Sequence, residues 1–292
     1  MRTLEDSNPI VITAYYLIMS GILMFSRNPV ILLLGFLGVI SYLLLQKHRI
    51  SQKSHLLYFL LFLILTAVNP FFSHNGKTIL FVVNNSPFTL EAIVYGAVNA
   101  GIIVTVLYLF RAFTEIMTRD KLLYVFGSFS SKLALVLSMG IRYVALFRIR
   151  AKRITENQRA IGLYKEENIL DKIKSDFRVF SILITWALEN GIITADSMSA
   201  RGYGTHRRTY YSPFRFRYQD WILLIVTFLL TAVTIAGIAT GDLDFSCYPA
   251  VQFQPLTAIN LASYISFGFL SVLPVFLEME DRIKWNYLQS RI

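Results

Sequence analysis

Long stretches without a charged side chain dominate the hydrophobic pattern of this chain. They cover residues 7–26, 28–46, 56–73, 92–110, 221–241 and 256–277. About 20 apolar residues in a helix cross the hydrocarbon core of a bilayer. The pattern therefore predicts an all-α, polytopic membrane protein with about six transmembrane helices.

Basic residues between these stretches predict the orientation of the chain, because cytoplasmic loops are enriched in Lys and Arg. Residues 46–55 carry three basic residues, whereas 70–88 carry only Lys77 and 242–255 carry none. We therefore expect 46–55 and the basic C-terminal residues on the cytoplasmic side and the other two loops outside. Arg27 is an exception, since this scheme places it outside.

The stretch 122–147 does not follow the same pattern. Lys132 and Arg142 interrupt its apolar residues, and basic residues flank both of its ends. It is compatible with a re-entrant helix, an interfacial helix or a pair of short spans, and the sequence does not decide among them.

Residues 148–217 are the polar part of the chain, with fourteen basic and seven acidic residues. They predict a cytoplasmic or interfacial domain of long helices, set between a membrane part at 1–147 and another at 218–292. The basic run at 148–153 lies where a helix would leave the bilayer. Such a run is typical of a positively charged anchor on the cytoplasmic side.

Composition narrows the classes of function. Only 16% of the residues are charged, against roughly 25% in soluble domains. The net charge of +10 indicates anionic headgroups as a partner rather than nucleic acid, because no nucleic-acid signature accompanies it. The single Cys247 excludes an intrachain disulfide and a cysteine-rich metal site. We expect no metal and no cofactor, and the lack of a phosphate-binding loop assigns any ATP hydrolysis to another chain.

One segment of the polar domain has the periodicity of a helix that is apolar nearly all round. Apolar residues recur at alternating steps of four and three at Ile173, Phe177, Phe180, Ile184 and Ala187. Other apolar residues fill most of the opposite face. Such a helix needs cover. The cover could be the other spans, the inner membrane surface or a partner protein, and the sequence leaves these alternatives open.

This helix is predicted to end near Arg201, because Gly202 and Gly204 are natural helix stops. A cation in the last turn interacts favourably with the helix dipole. Alternatively, the small neighbours Ala200 and Gly202 allow close approach of another protein, with Arg201 as an anchor that hydrogen-bonds carboxylates and carbonyls.

Several motifs together resemble one family of membrane proteins. Ala195-Asp-Ser-Met-Ser-Ala-Arg-Gly-Tyr-Gly204, followed by Arg207-Arg208, resembles the second coupling motif of the transmembrane T component of energy-coupling factor (ECF) transporters. Leu137-Ser-Met-Gly-Ile-Arg-Tyr-Val144 is similar to the segment that leads into that family's first coupling helix. Asn69-Pro-Phe-Phe-Ser-His-Asn-Gly76 is similar to a family loop after an early span. The resemblance covers the chain from about residue 56 onward.

The resemblance implies two docking sites for ATPase subunits, and the chain departs from the family at one of them. The Ala200-Arg201-Gly202 core is the family hallmark of the second site. At the first site the chain reads Gln158-Arg-Ala-Ile-Gly162, so that Ile161, between Ala160 and Gly162, stands where Arg is expected. Arg159 lies about 200° away around a helix and does not simply replace it. This site could dock through apolar contact, be weaker, or face an adapted ATPase.

The family resemblance implies a non-catalytic coupling subunit in the plasma or inner membrane of a prokaryote. Two ABC-type ATPases would bind the cytoplasmic helices. A small membrane protein, the S component, would bind a vitamin or metal ion, and the T component would transmit ATP-driven motion between them. The transported substrate is not encoded in this chain, because the S component selects it.

Two other classes of function fit the sequence less well. An intramembrane enzyme would need clustered acid–base or nucleophilic residues, but the four histidines are scattered over loops and no His-Glu-x-x-His or Gly-x-Ser-x-Gly motif occurs. A self-contained transporter or channel usually carries ionisable residues inside its spans. The six apolar stretches contain none, and no internal repeat is evident.

Overall fold

Apolar composition and capping residues together explain where the helices of this protein lie. The computed structural model describes residues 4–46, 52–72, 76–83, 86–164, 168–205, 214–241, 243, 245–247, 252–253 and 257–290, with the backbone alone at 52, 81–83, 86–88 and 252–253. Its nine described α-helices are α1 (Pro9–Phe25), α2 (Pro29–Leu45), α3 (Gln52–Phe72), α4 (Leu90–Ile116), α5 (Arg119–Phe129), α6 (Ser131–Ala160), α7 (Ile169–Ala200), α8 (Tyr218–Ala239) and α9 (Ala258–Gln289).

Each of the six predicted apolar stretches forms a helix, namely α1, α2, α3, α4, α8 and α9. Among the described helices, α3, α4, α7, α8 and α9 are long and apolar enough to cross a membrane, and α1 and α2 are apolar helices of 17 residues. The prediction of an all-α, multi-pass membrane protein is confirmed. By length and composition α7 also qualifies as a span, although the sequence pattern placed it in the cytoplasmic domain.

The first two helices begin with the same capping arrangement. Asn8 and Asn28 are the N-cap residues of α1 and α2, and a proline follows each of them. Each asparagine side chain accepts a hydrogen bond from the backbone N–H two residues later, at 3.0 Å from Ile10 and 2.9 Å from Val30. Asn and Pro suit these positions because one accepts an orphan N–H and the other lacks one.

The stretch 122–147, which the sequence left open, is divided between α5 and α6. The break falls at Ser130, the N-cap residue of α6. Neither helix is among those that are long and apolar enough to cross a bilayer. About two thirds of the stretch therefore belongs to the beginning of a 30-residue helix that continues into the basic region.

The chain divides into two compact units by packing. The first unit comprises Met1–Leu122 and Phe214–Ile292, and the second comprises Leu123–Pro213. The division drawn from charge, with boundaries after 147 and 217, rests on expected exposure to water and stays a prediction.

Small and polar residues let the helices of the first unit approach closely. In this unit α2 packs on α4 and α9, α3 packs on α4, and α8 packs on α9. Gly38 of α2 lies against the Ser271 backbone of α9, and the Thr234 and Ser266 hydroxyls of α8 and α9 are 2.9 Å apart. Small residues at helix crossings are typical of membrane proteins, where close packing drives helix association. Phe267 and Leu270 are fully buried in this core.

Two short antiparallel strand pairs lie in the loops that were predicted to be external, where no strands had been predicted. β1 (Ile79–Val83) pairs with β2 (Ser86–Thr89), and β3 (Phe245–Ser246) pairs with β4 (Gln252–Phe253). The Glu91 carboxylate fixes the first loop, because its Oε1 accepts from the backbone N–H groups of Thr78 at 3.2 Å and Lys77 at 3.3 Å.

Candidate partner-docking site

The two longest helices before the last span form an antiparallel pair in the second unit, the α6–α7 hairpin. Its contacts run in opposite order along the two helices. The Tyr143 hydroxyl lies 3.1 Å from Thr194 Oγ1, and the Phe147 ring packs edge-on against Trp186 with centroids 5.9 Å apart. Nearer the end of α6, the Tyr164 hydroxyl donates to Asp176 Oδ1 at 2.6 Å.

A cation–π contact strengthens the middle of this hairpin. The Arg150 guanidinium carbon lies 5.1 Å from the centroid of the Trp186 ring, and Phe147 packs on the same tryptophan. Such contacts contribute about 0.5–1 kcal/mol at exposed sites and more where water is excluded. Arg150 belongs to the basic run predicted as a membrane anchor, so at least one of its cations also holds the two helices together.

The first predicted docking motif lies at the end of α6, where the helix closes with a Schellman arrangement. The Leu163 N–H donates to Gln158 O at 2.9 Å and the Gly162 N–H donates to Arg159 O at 3.0 Å. Gly162 has a φ of +70°, the left-handed conformation that this cap requires. Ala160 is the last helical residue and Ile161 is the C-cap.

The second predicted motif closes α7 in the same way. The Tyr203 N–H donates to Met198 O and the Gly202 N–H donates to Ser199 O, both at 3.0 Å. Gly202 has a φ of +78°, Ala200 is the last helical residue and Arg201 is the C-cap. The expectation that Gly202 stops the helix beside Arg201 is thus confirmed.

Ile161 and Arg201 therefore occupy equivalent positions at the two helix ends. Each is a C-cap between an alanine and a left-handed glycine, and each side chain is exposed. Ile161 is 66% exposed although it is a large apolar residue. The hydrogen bonds and the glycine conformation are the same at both ends, so the two C-cap positions differ in the chemistry of the side chain that they expose.

Arg159 makes a contact of its own close to the first motif. Its guanidinium carbon lies 5.0 Å from the centroid of the Tyr164 ring. Tyr164 in turn donates to Asp176, and Arg178 Nη1 donates to Leu163 O at 3.0 Å. These contacts tie the residues after α6 to α7. The sequence did not single out Tyr164, whose only signal is its position two residues after the helix-stopping Gly162.

The two helix ends lie far apart along the hairpin. The contacts of Leu163 and Tyr164 place the end of α6 beside residues 176–178 of α7. From there to Arg201 α7 continues for about 24 residues, or about 36 Å at 1.5 Å per residue. The two predicted sites are therefore separated along the hairpin.

The hairpin carries much exposed apolar surface. Only Ser175 and Val179 are buried on α7, and no residue is buried on α6. Exposed apolar side chains on α7 include Phe177, Phe180 and Leu188, at 56–68% of their surface. An apolar surface of this extent is typical of contact with lipid or with another protein.

Arg207 and Arg208, which follow the second motif in the sequence, lie outside the described residues, as do residues 73–75 of the loop that resembles the family. In the described part of the chain, no three His, Cys, Asp or Glu side chains come together as a metal site.

Comparison with known proteins gives two partial similarities. The chain is 32% identical over 106 residues to the energy-coupling factor transporter transmembrane protein EcfT of Lacticaseibacillus paracasei, a match that covers 34% of this chain and 40% of that protein. It is 33% identical over 104 residues to the uncharacterized protein MG181 homolog of Mycoplasma pneumoniae, over 35% of this chain and 24% of that protein. No model of a known protein family matches the chain. The matched part thus spans less than half the length of either relative.

Proposed function

We propose that this chain is the membrane-embedded scaffold and energy-coupling subunit of an ECF-type importer. It would bind two ABC-type ATPases at the ends of α6 and α7 and would transmit their motion to an S component that carries a vitamin or a metal ion. The observation that carries this proposal is the pair of identical Schellman ends, each with an exposed C-cap side chain. The partial similarity to EcfT supports the same assignment.

The geometry of the helix ends supports docking rather than catalysis. A left-handed glycine after each C-cap brings the backbone to the surface without a side chain, so another protein can approach the last turn closely. Arg201 can then form paired hydrogen bonds to carboxylates or carbonyls of that protein. The separation of the two ends along the hairpin matches a partner that is present in two copies.

Transmission of motion would require α7 to move as a body with its docked end. The contacts between Tyr143 and Thr194, and between Phe147 and Trp186, join α6 and α7 along their length. A displacement applied at Arg201 would therefore be carried by both helices. Coupling to ATP further requires that the nucleotide state favour one of two arrangements of the hairpin.

We expect Arg201→Ala and Arg201→Glu to weaken association with the ATPases and to lower ATP-dependent uptake, because a buried Arg anchor typically contributes about 2 kcal/mol or more, a factor of roughly 30. The measurement is co-purification of the ATPases with the tagged chain in mild detergent, together with uptake in cells. The alanine variant excludes an effect of a negative charge at a helix C-terminus.

Lys152→Ala is the matched control for Arg201→Ala, because Lys152 is an exposed cation of the hairpin and its ion pair with Glu156 is exposed as well. It should leave association and uptake unchanged, and all variants should insert into the membrane equally. Normal ATPase association in both Arg201 variants would contradict the role assigned to Arg201.

A substitution at Ile161 tests whether the first site is adapted to bind an ATPase through apolar contact or has lost the arginine expected there. Since its exposed apolar side chain supports apolar docking, Ile161→Arg should reduce ATPase association in the same co-purification assay. Stronger association would instead indicate that the first site has lost an arginine that its partner still recognises.

A further inference from the structure

An apolar slot runs along the membrane helices of the first unit, lined by α2, α3 and α4. Its volume is about 510 Å³. Both α2 and α3 pack on α4, so the slot follows the length of α4 from Val94 to Tyr108. Phe59, on the rim that α3 contributes, is 61% exposed. The slot is therefore open to the surface of this unit.

The slot is somewhat longer than one leaflet of the hydrocarbon core is thick. The 15 residues from Val94 to Tyr108 span 14 helical steps, or about 21 Å at 1.5 Å per residue. Half of a hydrocarbon core of about 30 Å is about 15 Å. A slot of this length and apolar lining can hold an acyl chain along most of its extent, whereas a compact polar solute would leave most of the lining without contact.

The polar groups of the slot gather at one end. Tyr58, His55, Thr105 and Tyr108 lie toward this end, whereas the Pro29 and Val94 end is apolar. His55 Nδ1 is 2.8 Å from the Tyr108 hydroxyl, and the Tyr58 and Tyr108 rings pack with centroids 4.7 Å apart. These groups can face a headgroup or the ester region of a lipid while the remainder of the slot faces its acyl chain.

Positive charge lies beside the same end. His55 is in the first turn of α3, and the exposed Lys53 precedes it by two residues. In sequence Lys47 and Arg49 also lie between α2 and α3. Basic residues next to a membrane attract anionic lipids by about 1 kcal/mol each.

We propose that this slot binds one acyl chain of an anionic phospholipid, with its headgroup at the His55 end. Along the slot, the apolar lining is followed by the polar groups near His55 and then by the cations beside them. An anionic phospholipid has the same order of acyl chain, ester region and charged headgroup. None of its lining residues belongs to the α6–α7 hairpin, so the slot lies apart from the proposed docking motifs in the chain.

Small residues keep the slot open. A Cβ at Gly101 would lie 2.7 Å from Leu32 Cδ2, and Ala97 lines the slot one turn earlier on α4. Ala97→Phe should fill the slot. Ala232→Phe is the matched control, because Ala232 is an exposed residue of α8 outside the slot.

The test uses the full chain in nanodiscs that contain a phosphatidylglycerol with a photoactivatable diazirine in its acyl chain. After irradiation, labelled peptides are mapped by mass spectrometry. Labelling should concentrate on the slot-lining parts of α2, α3 and α4. It should fall about tenfold in Ala97→Phe, since displacing two methylenes costs about 1.6 kcal/mol, and should stay unchanged in Ala232→Phe.

Lys53→Glu tests the headgroup without altering the slot. It should lower labelling by the phosphatidylglycerol probe by at least about fivefold, the equivalent of one cation near the surface, and should not affect a phosphatidylcholine probe with the same acyl chain.

Labelling spread evenly over all lipid-facing helices would overturn the site. An unlabelled slot, as expected if a helix of a partner protein fills it, would also overturn it, and equal labelling by the two probes would overturn the anionic headgroup.

Discussion

A buried lysine connects two chain segments that are distant in sequence. Lys121, only 8% exposed, donates from Nζ to Glu5 O at 2.6 Å and to Ile116 O at 3.0 Å. It thereby satisfies a carbonyl at the end of α4 and one in the short 3₁₀ helix Leu4–Asp6. Burial lowers the pKa of Lys121, while the nearby Glu5 and Asp6 act in the opposite direction.

We expect Lys121→Met to destabilise the protein by about 1–3 kcal/mol, because the buried Ile116 carbonyl and the partly buried Glu5 carbonyl lose their donor. The measurement is the apparent Tm of the purified chain in detergent. Lys132→Met is the control, since Lys132 is exposed. Equal Tm values for the two variants would contradict a structural role for the buried ammonium group.

Lys121 should also make the free energy of unfolding depend on pH. Because its pKa is lowered in the folded protein, the unfolded chain binds more protons between the folded pKa and the ordinary lysine value of about 10.4. Stability contributed by this residue therefore rises with pH across that window. The difference in Tm between the natural protein and Lys121→Met should grow from neutral toward alkaline pH. A difference that shrinks would contradict this.

The glycine after Arg201 is a second residue whose role follows from its backbone. Gly202→Val should fray the end of α7, since a side chain at its φ of +78° costs about 1–2 kcal/mol. Gly191→Ala, in the middle of α7 with no atom near its added Cβ, should instead stabilise the helix by about 1 kcal/mol. Hydrogen exchange of the amides at 197–203 measures both effects. Equal protection in the two variants would show that the Schellman end is not needed to hold Arg201.

At the scale of helices, two helices can approach closely where one of them has a glycine and a larger side chain would not fit. A Cβ at Gly38 of α2 would lie 2.6 Å from the backbone oxygen of Ser271 in α9. Only backbone movement could relieve such a contact. Gly38 therefore allows these two helices to approach closely at this point.

Gly38→Leu should separate α2 from α9 and destabilise the protein by about 1–3 kcal/mol through overpacking. Gly21→Leu adds the same side chain to α1, where the Cβ meets no atom within 4 Å, and should have little effect. Thermal unfolding in detergent compares the two directly. A larger loss in Gly21→Leu would show that the α2–α9 crossing does not limit stability.

For the whole molecule, the orientation of α7 separates the two interpretations of its apolar surface. If α7 lies in a cytoplasmic domain, both of its ends are on the cytoplasmic side. If it crosses the bilayer, as its length and composition permit, its ends are on opposite sides. The exposed apolar surface fits either arrangement.

We expect cysteines placed at Asn168 and at Thr205, in a Cys247→Ser background, to react with an impermeant thiol reagent only from the cytoplasmic side. Both positions are exposed and lie beyond the two ends of α7. A cysteine at Lys77, in the loop predicted to be external, should react only from outside and serves as the control. Labelling of positions 168 and 205 from opposite sides would establish α7 as a span.

The sequence alone located the six apolar helices α1, α2, α3, α4, α8 and α9, because the free energy of transfer into hydrocarbon is summed over neighbouring residues. It did not identify α7 as a candidate span, although α7 is also long and apolar enough to cross a membrane. It also located the helix stop at Gly202, since a left-handed cap is a local backbone requirement, whereas the equivalent stop at Gly162 had not been predicted. It did not predict the two strand pairs, the contact of Arg159 with Tyr164 or the bonds of Lys121. Most of these join residues that no local pattern relates, and only the packing of helices decides which side chains meet. The equivalence of Ile161 and Arg201 as C-cap residues is likewise visible only in the structure, because it depends on the hydrogen bonds that close each helix and not on the side chain at that position.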